Sequence, residues 1–262
     1  MEFETLIYDV QDGVAQITLN REKAANALNL QMAKELMQAT MAIDGDSSVR
    51  AVVIGAKGKM FCAGGDLGSF QEAGDGMSSL LKEITTFLHA AISQLARMRA
   101  PVMAAVNGTA AGAGFSLVCA TDFAIAAESA KFSMAYTQAG LTPDGSSTYF
   151  MPRLIGARRT LELMMTNRRL SAHEALDWGL LNQVVPDGEL EDTAMGLARQ
   201  LAEGATSAFG ATKKLVVESF SESLETQMEA ESRAITQASR GSEAKEGINA
   251  FFEKRKPDFS RS

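Results

Sequence analysis

Apolar residues occur along this chain in short unbroken runs and in runs spaced three or four residues apart. The unbroken runs predict buried strands over residues 51–55, 102–106 and 122–126. The wider spacing predicts helices over residues 30–43 and 80–98, and the polar stretch of residues 71–79 predicts a mobile loop. Because strands alternate with helices, the sequence predicts an α/β fold with parallel strands joined by helical crossovers.

Turn residues and helix caps mark the two ends of the chain. Asp12-Gly13 divides residues 6–19 into two alternating segments, which predicts an antiparallel hairpin. Ser171, followed three residues later by Glu174, predicts a capped helix. Further helices are predicted over residues 158–165, 189–203, 208–219, 222–239 and 242–252. We therefore expect a core of residues 1–200 and a helical region of residues 201–262.

Composition and charge limit the classes of protein that this chain can represent. The 262 residues are 46% hydrophobic, which is enough for a sizeable core, and the net charge of −7 disfavours a nucleic-acid partner. No apolar run approaches the roughly 20 residues of a membrane span, so no membrane partner and a cytoplasmic location are expected. Cys62 and Cys119 lack metal-ligand spacing and are predicted to be buried, and no metal is expected.

Two loops are rich in small residues. The first is KMFCAGGDL at residues 59–67, and the second lies within PVMAAVNGTAAGAGFSL at residues 101–117. A strand, a small-residue turn and a helix start leave backbone N–H groups without partners, which suits an anion or a developing oxyanion. Close packing of two backbones would explain the glycines equally well, and both explanations stay open from these residues alone.

Asp144 lies in the turn Thr142-Pro143-Asp144-Gly145, just before residues 146–148, which are predicted to cap a helix running toward Leu154. Judged from composition, this aspartate is an ordinary turn or cap carboxylate. The alternative is an acid or base set in an otherwise apolar pocket.

Four segments, taken in their order and spacing, resemble the crotonase or enoyl-CoA hydratase/isomerase superfamily. They are Asn26-Ala27-Leu28, FCAGGDL at residues 61–67, the segment of residues 101–117, and EALDWGLLNQVV at residues 174–185, with the family's usual ending in FFEKRKPDF at residues 251–259. The resemblance implies a crotonase-like spiral of repeated ββα turns with a C-terminal helical trimerisation region. It further implies a homotrimer or homohexamer, an acyl-CoA thioester substrate, and no separate cofactor.

By this resemblance, the backbone N–H groups of Gly65 and Ala113 form an oxyanion hole for the thioester carbonyl. The two hydratase glutamates would fall at Ser116 and Tyr136, which carry no carboxylate. Asp144 falls where several isomerases of the superfamily carry their single carboxylate, and this match reverses the interpretation of it as a turn residue. We predict an acyl-CoA isomerase that shuttles a proton with Asp144, closest to ring-1,2-epoxyphenylacetyl-CoA isomerases and delta3-delta2-enoyl-CoA isomerases.

The resemblance also assigns residues that would contact the substrate. The predicted substrate and coenzyme A contacts are Lys23, Ala24, Asn26, Ala63, Asp66, Leu67, Gly112, Tyr136, His89 and Lys254. Lys254 would reach the phosphates from a neighbouring subunit, although a solvated charge is an equal alternative for Lys23 and Lys254. Tyr136 and Phe87 are candidates for the acyl pocket, although such aromatic residues more often belong to a core.

Three other functions remain open. The first is enoyl-CoA hydratase. The second is a 4-chlorobenzoyl-CoA dehalogenase-like enzyme, in which an aspartate matching Asp144 attacks the ring and a histidine matching His89 assists. Here His89 is expected to be a packing or pocket-lining residue, and Tyr136 replaces a dehalogenase tryptophan. The third is a non-catalytic acyl-CoA-binding or RNA-binding scaffold, which the acidic charge and the retained Asp144 disfavour.

Overall fold

The structure is a computed structural model that describes residues 2–259. The strands are β1 (Leu6–Gln11), β2 (Val14–Leu19), β3 (Ala51–Ala56), β4 (Met60–Cys62), β5 (Val102–Val106), β6 (Thr109–Ala111), β7 (Phe123–Ala127), β8 (Lys131–Ser133), β9 (Leu170–Ser171) and β10 (Gln183–Val185). The α-helices are α1 (Leu30–Gly45), α2 (Leu67–Ala73), α3 (Met77–Arg97), α4 (Ala113–Cys119), α5 (Ser147–Thr166), α6 (Ala172–Asp177), α7 (Leu190–Ala202), α8 (Thr206–Ser219), α9 (Leu224–Ala238) and α10 (Ser242–Glu253). Short 3-10 turns cover Glu22–Ala24, Gly74–Gly76, Thr137–Ala139 and Asp187–Glu189.

The strands form two sheets. The larger sheet has the order β1-β2-β3-β5-β7-β10, and the smaller has the order β4-β6-β8-β9. Strands β1 and β2 pair antiparallel around Asp12 and Gly13, whose φ angles are 51° and 77°. From β2 to β10 the neighbouring strands of the larger sheet are parallel. The predicted hairpin and the predicted parallel sheet are both confirmed.

Three successive strand-strand-helix units build the core. The first strand of each unit, β3, β5 or β7, enters the larger sheet, and the second strand, β4, β6 or β8, enters the smaller sheet. Helices α2, α4 and α5 follow the second strands. The predicted spiral of ββα turns is therefore confirmed, as is the mainly helical C-terminal region.

Apolar side chains cover both faces of the larger sheet, as expected for parallel strands. Along β3, Val52 and Ile54 belong to the main core, whereas Ala51 and Val53 belong to a second core cluster. Leu190, Ala194, Ala198 and Ala202 of α7 complete that second cluster. Both cysteines are buried as predicted, and burial raises the pKa of the Cys62 thiol to about 11 and that of Cys119 to about 12.

Two predictions about local structure are wrong. Residues 71–79 do not form the predicted loop, because α2 continues to Ala73, a 3-10 turn covers Gly74–Gly76, and α3 begins at Met77. The polar residues there are the solvent-facing side of helices, while Phe70 on α2 is buried. Ser146 makes no side-chain cap and has a φ of 67°. Helix α5 extends to Thr166, but Gly156 within it has non-helical φ and ψ angles of 80° and 157°, so two helical segments meet at a kink there, in agreement with the two helices predicted separately.

Within residues 2–259 the structure contains no helix whose length and apolar content would let it cross a membrane. The predicted cytoplasmic location stays a prediction.

A partly buried ion pair attaches α8 to the core. The Lys213 Nζ atom lies 2.6 Å from Asp122 Oδ2 and donates to the carbonyl oxygens of Leu95 at 3.0 Å and Ala100 at 3.1 Å. Asp122 Oδ2 also accepts from the Val102 N–H at 2.7 Å. Burial raises the pKa of Asp122 and lowers the pKa of Lys213, while their mutual attraction opposes both shifts. The pair therefore holds α8 against the ends of α3 and β5.

Replacing Lys213 with methionine should lower the free energy of unfolding by about 1 to 3 kcal/mol, because the charged hydrogen bonds to Asp122, Leu95 and Ala100 are lost. Lys214 is the matched control, since its side chain is 70% exposed and lies 3.9 Å from Glu218. Lys214→Met should change the free energy by less than about 0.5 kcal/mol. Denaturant unfolding followed by circular dichroism measures both, and equal effects in the two variants would contradict this role.

Candidate active site

A cavity of about 290 Å³ opens between the two small-residue loops and helix α3. Gly64 and Gly65 contribute from the first loop, and Gly112 and Ala113 contribute from the second. Apolar side chains form most of the remaining wall, and they include Leu81, Ile84, Leu88, Leu141 and Phe70. The cavity therefore combines exposed backbone on one side with an apolar surface on the other.

The two loops are in direct backbone contact. A Cβ atom on Gly64 would lie 3.4 Å from the Cα of Gly112, and a Cβ on Gly114 would lie 2.5 Å from the Cβ of Cys62. Gly64 and Gly112 also have φ angles of 101° and 49°, which favour glycine. Close packing of two backbones, one of the two explanations left open by the sequence, is therefore present.

Two backbone N–H groups in these loops donate no hydrogen bond to any residue of the 2–259 range. The Leu28 N–H donates to Gly64 O at 2.7 Å, and the Asp66 N–H donates to Leu28 O at 3.0 Å. These two hydrogen bonds leave the N–H group of Gly65, which lies between them, without an acceptor. Ala113 is the first residue of α4, where N–H groups lack intrahelical acceptors. Both residues line the cavity, so their N–H groups are candidates for binding an oxygen atom of a ligand.

The Asp144 carboxylate lies in the cavity wall with a different partner on each oxygen. The Tyr136 hydroxyl donates to Oδ1 at 2.7 Å, and His89 Nε2 lies 3.1 Å from Oδ2. The same hydroxyl lies 3.0 Å from Ser116 Oγ. Burial, and then the charge of Asp144, raise the pKa of Tyr136, which keeps the phenol a neutral donor. Ser116, Tyr136 and Asp144 thus form one connected polar group.

Many of the residues predicted from the sequence come together in this cavity. Its wall contains Asp144, Gly65, Ala113, Ala63, Leu67, Gly112 and Tyr136. The predicted residues outside the wall are Lys23, Ala24, Asn26, Asp66, His89 and Lys254. Lys23 and Ala24 lie on the 3-10 turn Glu22–Ala24, and Lys254 ends helix α10. Contact of these three residues with coenzyme A stays a prediction.

Asn26 and Asp66 support the first loop. The Asn26 side chain is buried and donates to the carbonyl oxygens of Lys57 and Met60 at 2.8 Å each. Asp66 accepts from the Ser69 N–H at 3.2 Å, which caps α2, and pairs with Arg21 at 2.9 Å. Although burial favours its neutral form, the hydrogen bonds from Ser69 and Arg21 lower the pKa of Asp66. Both side chains thus have structural partners, and nothing in the irregular sequence around Arg21 indicated this pairing.

Helix α3 differs from the predictions made for its aromatic and histidine residues. Phe87 is absent from the cavity wall, and the Lys34 ammonium lies 5.2 Å from its ring centre instead. The wall uses Leu81, Ile84 and Leu88, which share one face of the helix. His89 lines a second cavity and is absent from this wall, and its contact with Asp144 follows from tertiary structure alone.

Other proteins share this spiral of ββα units with a cavity between two loops. Residues 9–262 match the family model described as enoyl-CoA hydratase/isomerase. The chain belongs to the enoyl-CoA hydratase/isomerase family, as its sequence motifs predicted.

Relatives of this chain include both of the activities in the family's description. The chain is 37% identical over 261 residues to 1,2-epoxyphenylacetyl-CoA isomerase from Escherichia coli, with 99% of each chain covered. It is 38% identical over 260 residues to a probable enoyl-CoA hydratase from Rhodobacter capsulatus, again with 99% of each chain covered. Its fold matches the crystal structure of an enoyl-CoA hydratase from Polaromonas sp. with a TM-score of 0.92 at 34% identity, covering 97% of this chain and 98% of that chain. Similarity to these relatives therefore does not separate the two reactions.

Replacing Gly114 with alanine should lower the free energy of unfolding by about 1 to 3 kcal/mol, because the added methyl group overlaps Cys62. Gly196 on α7 is the matched control, since a Cβ there meets nothing within 4 Å. Gly196→Ala should leave stability unchanged or raise it by up to about 1 kcal/mol. Thermal and denaturant unfolding measure both variants, and a neutral Gly114→Ala would show that the loops have room to separate.

Proposed function

We propose that this chain is an acyl-CoA isomerase that moves a proton with Asp144. The observation that carries the proposal is that Asp144 is the one carboxylate in the cavity wall formed by the described residues. Moving a carbon–carbon double bond requires one group that takes a proton from one carbon and returns it to another. The resemblance assigns water activation to two glutamates, and the residues at those positions are Ser116 and Tyr136.

In this proposal the N–H groups of Gly65 and Ala113 donate to the thioester carbonyl oxygen. Negative charge develops on that oxygen as the proton leaves the adjacent carbon, and one preorganised donor typically contributes about 3 to 4 kcal/mol. Tyr136 orients the carboxylate by donating to Oδ1, and Ser116 gives the phenol its second partner. The free amides and the polar group around Asp144 therefore act on the same thioester.

The wall of the cavity supports an apolar acyl group, either an enoyl chain or the ring epoxide of phenylacetyl-CoA. Leu81, Ile84 and Leu88 offer apolar surface, and the similarity to the Escherichia coli isomerase supports the aromatic alternative. Lys23, Ala24 and Lys254 are proposed contacts for the coenzyme A portion, which belongs to the substrate, so no separate cofactor is proposed.

Two other reactions are each supported by one observation. Enoyl-CoA hydration is supported by the similarity to the Rhodobacter capsulatus protein. A dehalogenase-like reaction is supported by the 3.1 Å contact between His89 and Asp144, the two residues that the resemblance assigns to that chemistry. Tyr136 in place of the dehalogenase tryptophan counts against the second of these reactions. Two free amides and a carboxylate in one cavity count against a non-catalytic scaffold.

The reaction is tested by incubating the purified protein in deuterated water with 3-enoyl-CoA, 2-enoyl-CoA, the epoxide of phenylacetyl-CoA and 4-chlorobenzoyl-CoA. We expect isomerised product from the first or third substrate, and a decrease of about 100-fold or more in Asp144→Asn because the proton-transferring group is lost. Asp177→Asn is the matched control, since Asp177 is exposed at the end of α6 and should leave the rate unchanged.

Chromatographic separation of the products, followed by mass analysis, separates the alternatives. Hydrated 2-enoyl-CoA, formed by Asp144→Asn as fast as by the unaltered protein, would overturn the isomerase and support a hydratase. Chloride release from 4-chlorobenzoyl-CoA would support the dehalogenase-like reaction.

We also propose that the chain assembles as a homotrimer or homohexamer through its helical region. The support is a set of exposed apolar side chains on α8, α9 and α10, which include Val216, Phe220, Leu224, Met228, Ile235, Ile248, Phe251 and Phe252. An exposed apolar surface of this extent is typical of a subunit interface. Residues 224, 228 and 235 share one face of α9, which makes that helix the place to test assembly.

Changing both Met228 and Ile235 to glutamate should convert the assembly to monomers, because a subunit interface would then bury unpaired charges. Sedimentation equilibrium gives the masses. Gln237→Glu, an exposed change on the same helix, should leave the mass unchanged. A monomeric unaltered protein would contradict the proposed assembly.

A further inference from the structure

His89 and Asp144 lie between two separate cavities. Asp144 lines the candidate active site, whereas His89 lines a second cavity of about 430 Å³ together with Ser93, Arg97 and Ser146. The two side chains meet at 3.1 Å, and 50% of the His89 side chain is exposed against 27% of that of Asp144. The pair therefore lies at the junction of the candidate active site and the second cavity, and the more exposed of the two side chains is on the side of the second cavity.

One ring nitrogen of His89 has two neighbours of opposite character. Nε2 lies 3.1 Å from Asp144 Oδ2, which can only accept while the carboxyl is ionised, and 3.3 Å from the Gly145 N–H, which can only donate. A protonated Nε2 donates to the ionised carboxylate. An unprotonated Nε2 accepts from Gly145 and from a protonated Asp144. The nitrogen thus has a hydrogen-bond partner in both protonation states of Asp144, as a proton carrier requires.

We propose that His89 is a proton relay that exchanges the proton on Asp144 with water in the second cavity. This inference rests on the proposed function of Asp144. A carbon–hydrogen bond of the substrate breaks, its electron pair stays on the substrate as the enolate, and Asp144 takes the proton. The proton then passes from Asp144 Oδ2 to His89 Nε2, and the imidazolium releases its Nδ1 proton to water. The reverse sequence returns a solvent proton through Asp144 to the substrate.

The other groups around the second cavity fit this role. Arg97 is the other charged side chain in its wall, and its guanidinium does not release a proton. Arg97 Nη1 donates to Ser93 Oγ at 2.6 Å, and the Ser93 and Ser146 hydroxyls add polar groups that suit water. The imidazole is therefore the group in this wall that can pass a proton between Asp144 and water.

The relay is tested by the deuterium content of the isomerised product formed from 3-enoyl-CoA in deuterated water. The unaltered protein should incorporate solvent deuterium, because the proton on Asp144 exchanges before it is returned. His89→Gln keeps an amide donor for Asp144 but cannot carry a proton, so incorporation should fall about tenfold. His173→Gln alters the chain's other histidine, which is exposed on α6, and should match the unaltered protein.

A second variant, His89→Ala, tests the relay if His89→Gln does not fold or does not turn over substrate. His89→Ala leaves space for added imidazole, which should restore deuterium incorporation if proton transfer is the missing step. Equal deuterium content in the unaltered protein and His89→Gln would overturn the relay and leave the isomerase proposal standing. Absence of isomerised product from 3-enoyl-CoA with the unaltered protein would overturn the relay, and absence of isomerised product from the epoxide of phenylacetyl-CoA as well would overturn the isomerase proposal.

Discussion

The close approach of two loop backbones is the constraint on which the site depends. Gly114 lies against Cys62, and a Cβ on Gly108 would collide with the carbonyl oxygen of Lys59. These contacts bring β4 and β6, the short second strands of two successive units, side by side. The N–H groups of Gly65 and Ala113 come from the loops that leave those strands. Their relative position is therefore set by sheet pairing and by the absence of side chains, not by any polar contact between them.

The sequence predicted the parts of the fold that have a local signal. Strands β3, β5 and β7 are unbroken apolar runs, and the Ser171–Glu174 capping box forms with both of its hydrogen bonds. Strands β4, β6 and β8 were missed because three residues are too few to show a period. The N–H groups of Gly65 and Ala113 and the carboxylate of Asp144 were predicted from the resemblance of motifs and not from any periodic pattern. The His89–Asp144 contact joins residues 55 apart in sequence, which no local pattern can predict.

The pair Ser116 and Tyr136 gives the site its chemical character. Where the resemblance places two carboxylates, this chain has a buried hydroxyl and a phenol whose pKa is raised by burial and by Asp144. A neutral phenol can donate to a carboxylate without competing with it for the proton that is being moved. The site thus holds one carboxylate supported by a neutral phenol, and this arrangement is the basis of the proposed isomerase.

The ion pair between Lys213 and Asp122 connects two regions that the sequence treats separately. Through Lys213, helix α8 also binds the carbonyl oxygen of Leu95, close to the end of the helix that carries the apolar wall of the cavity. A movement of α8 would therefore be transmitted to that end of α3 through the Lys213 side chain. Substitutions in the helical region are thus a route by which evolution can alter the apolar wall while every residue that lines the cavity stays the same.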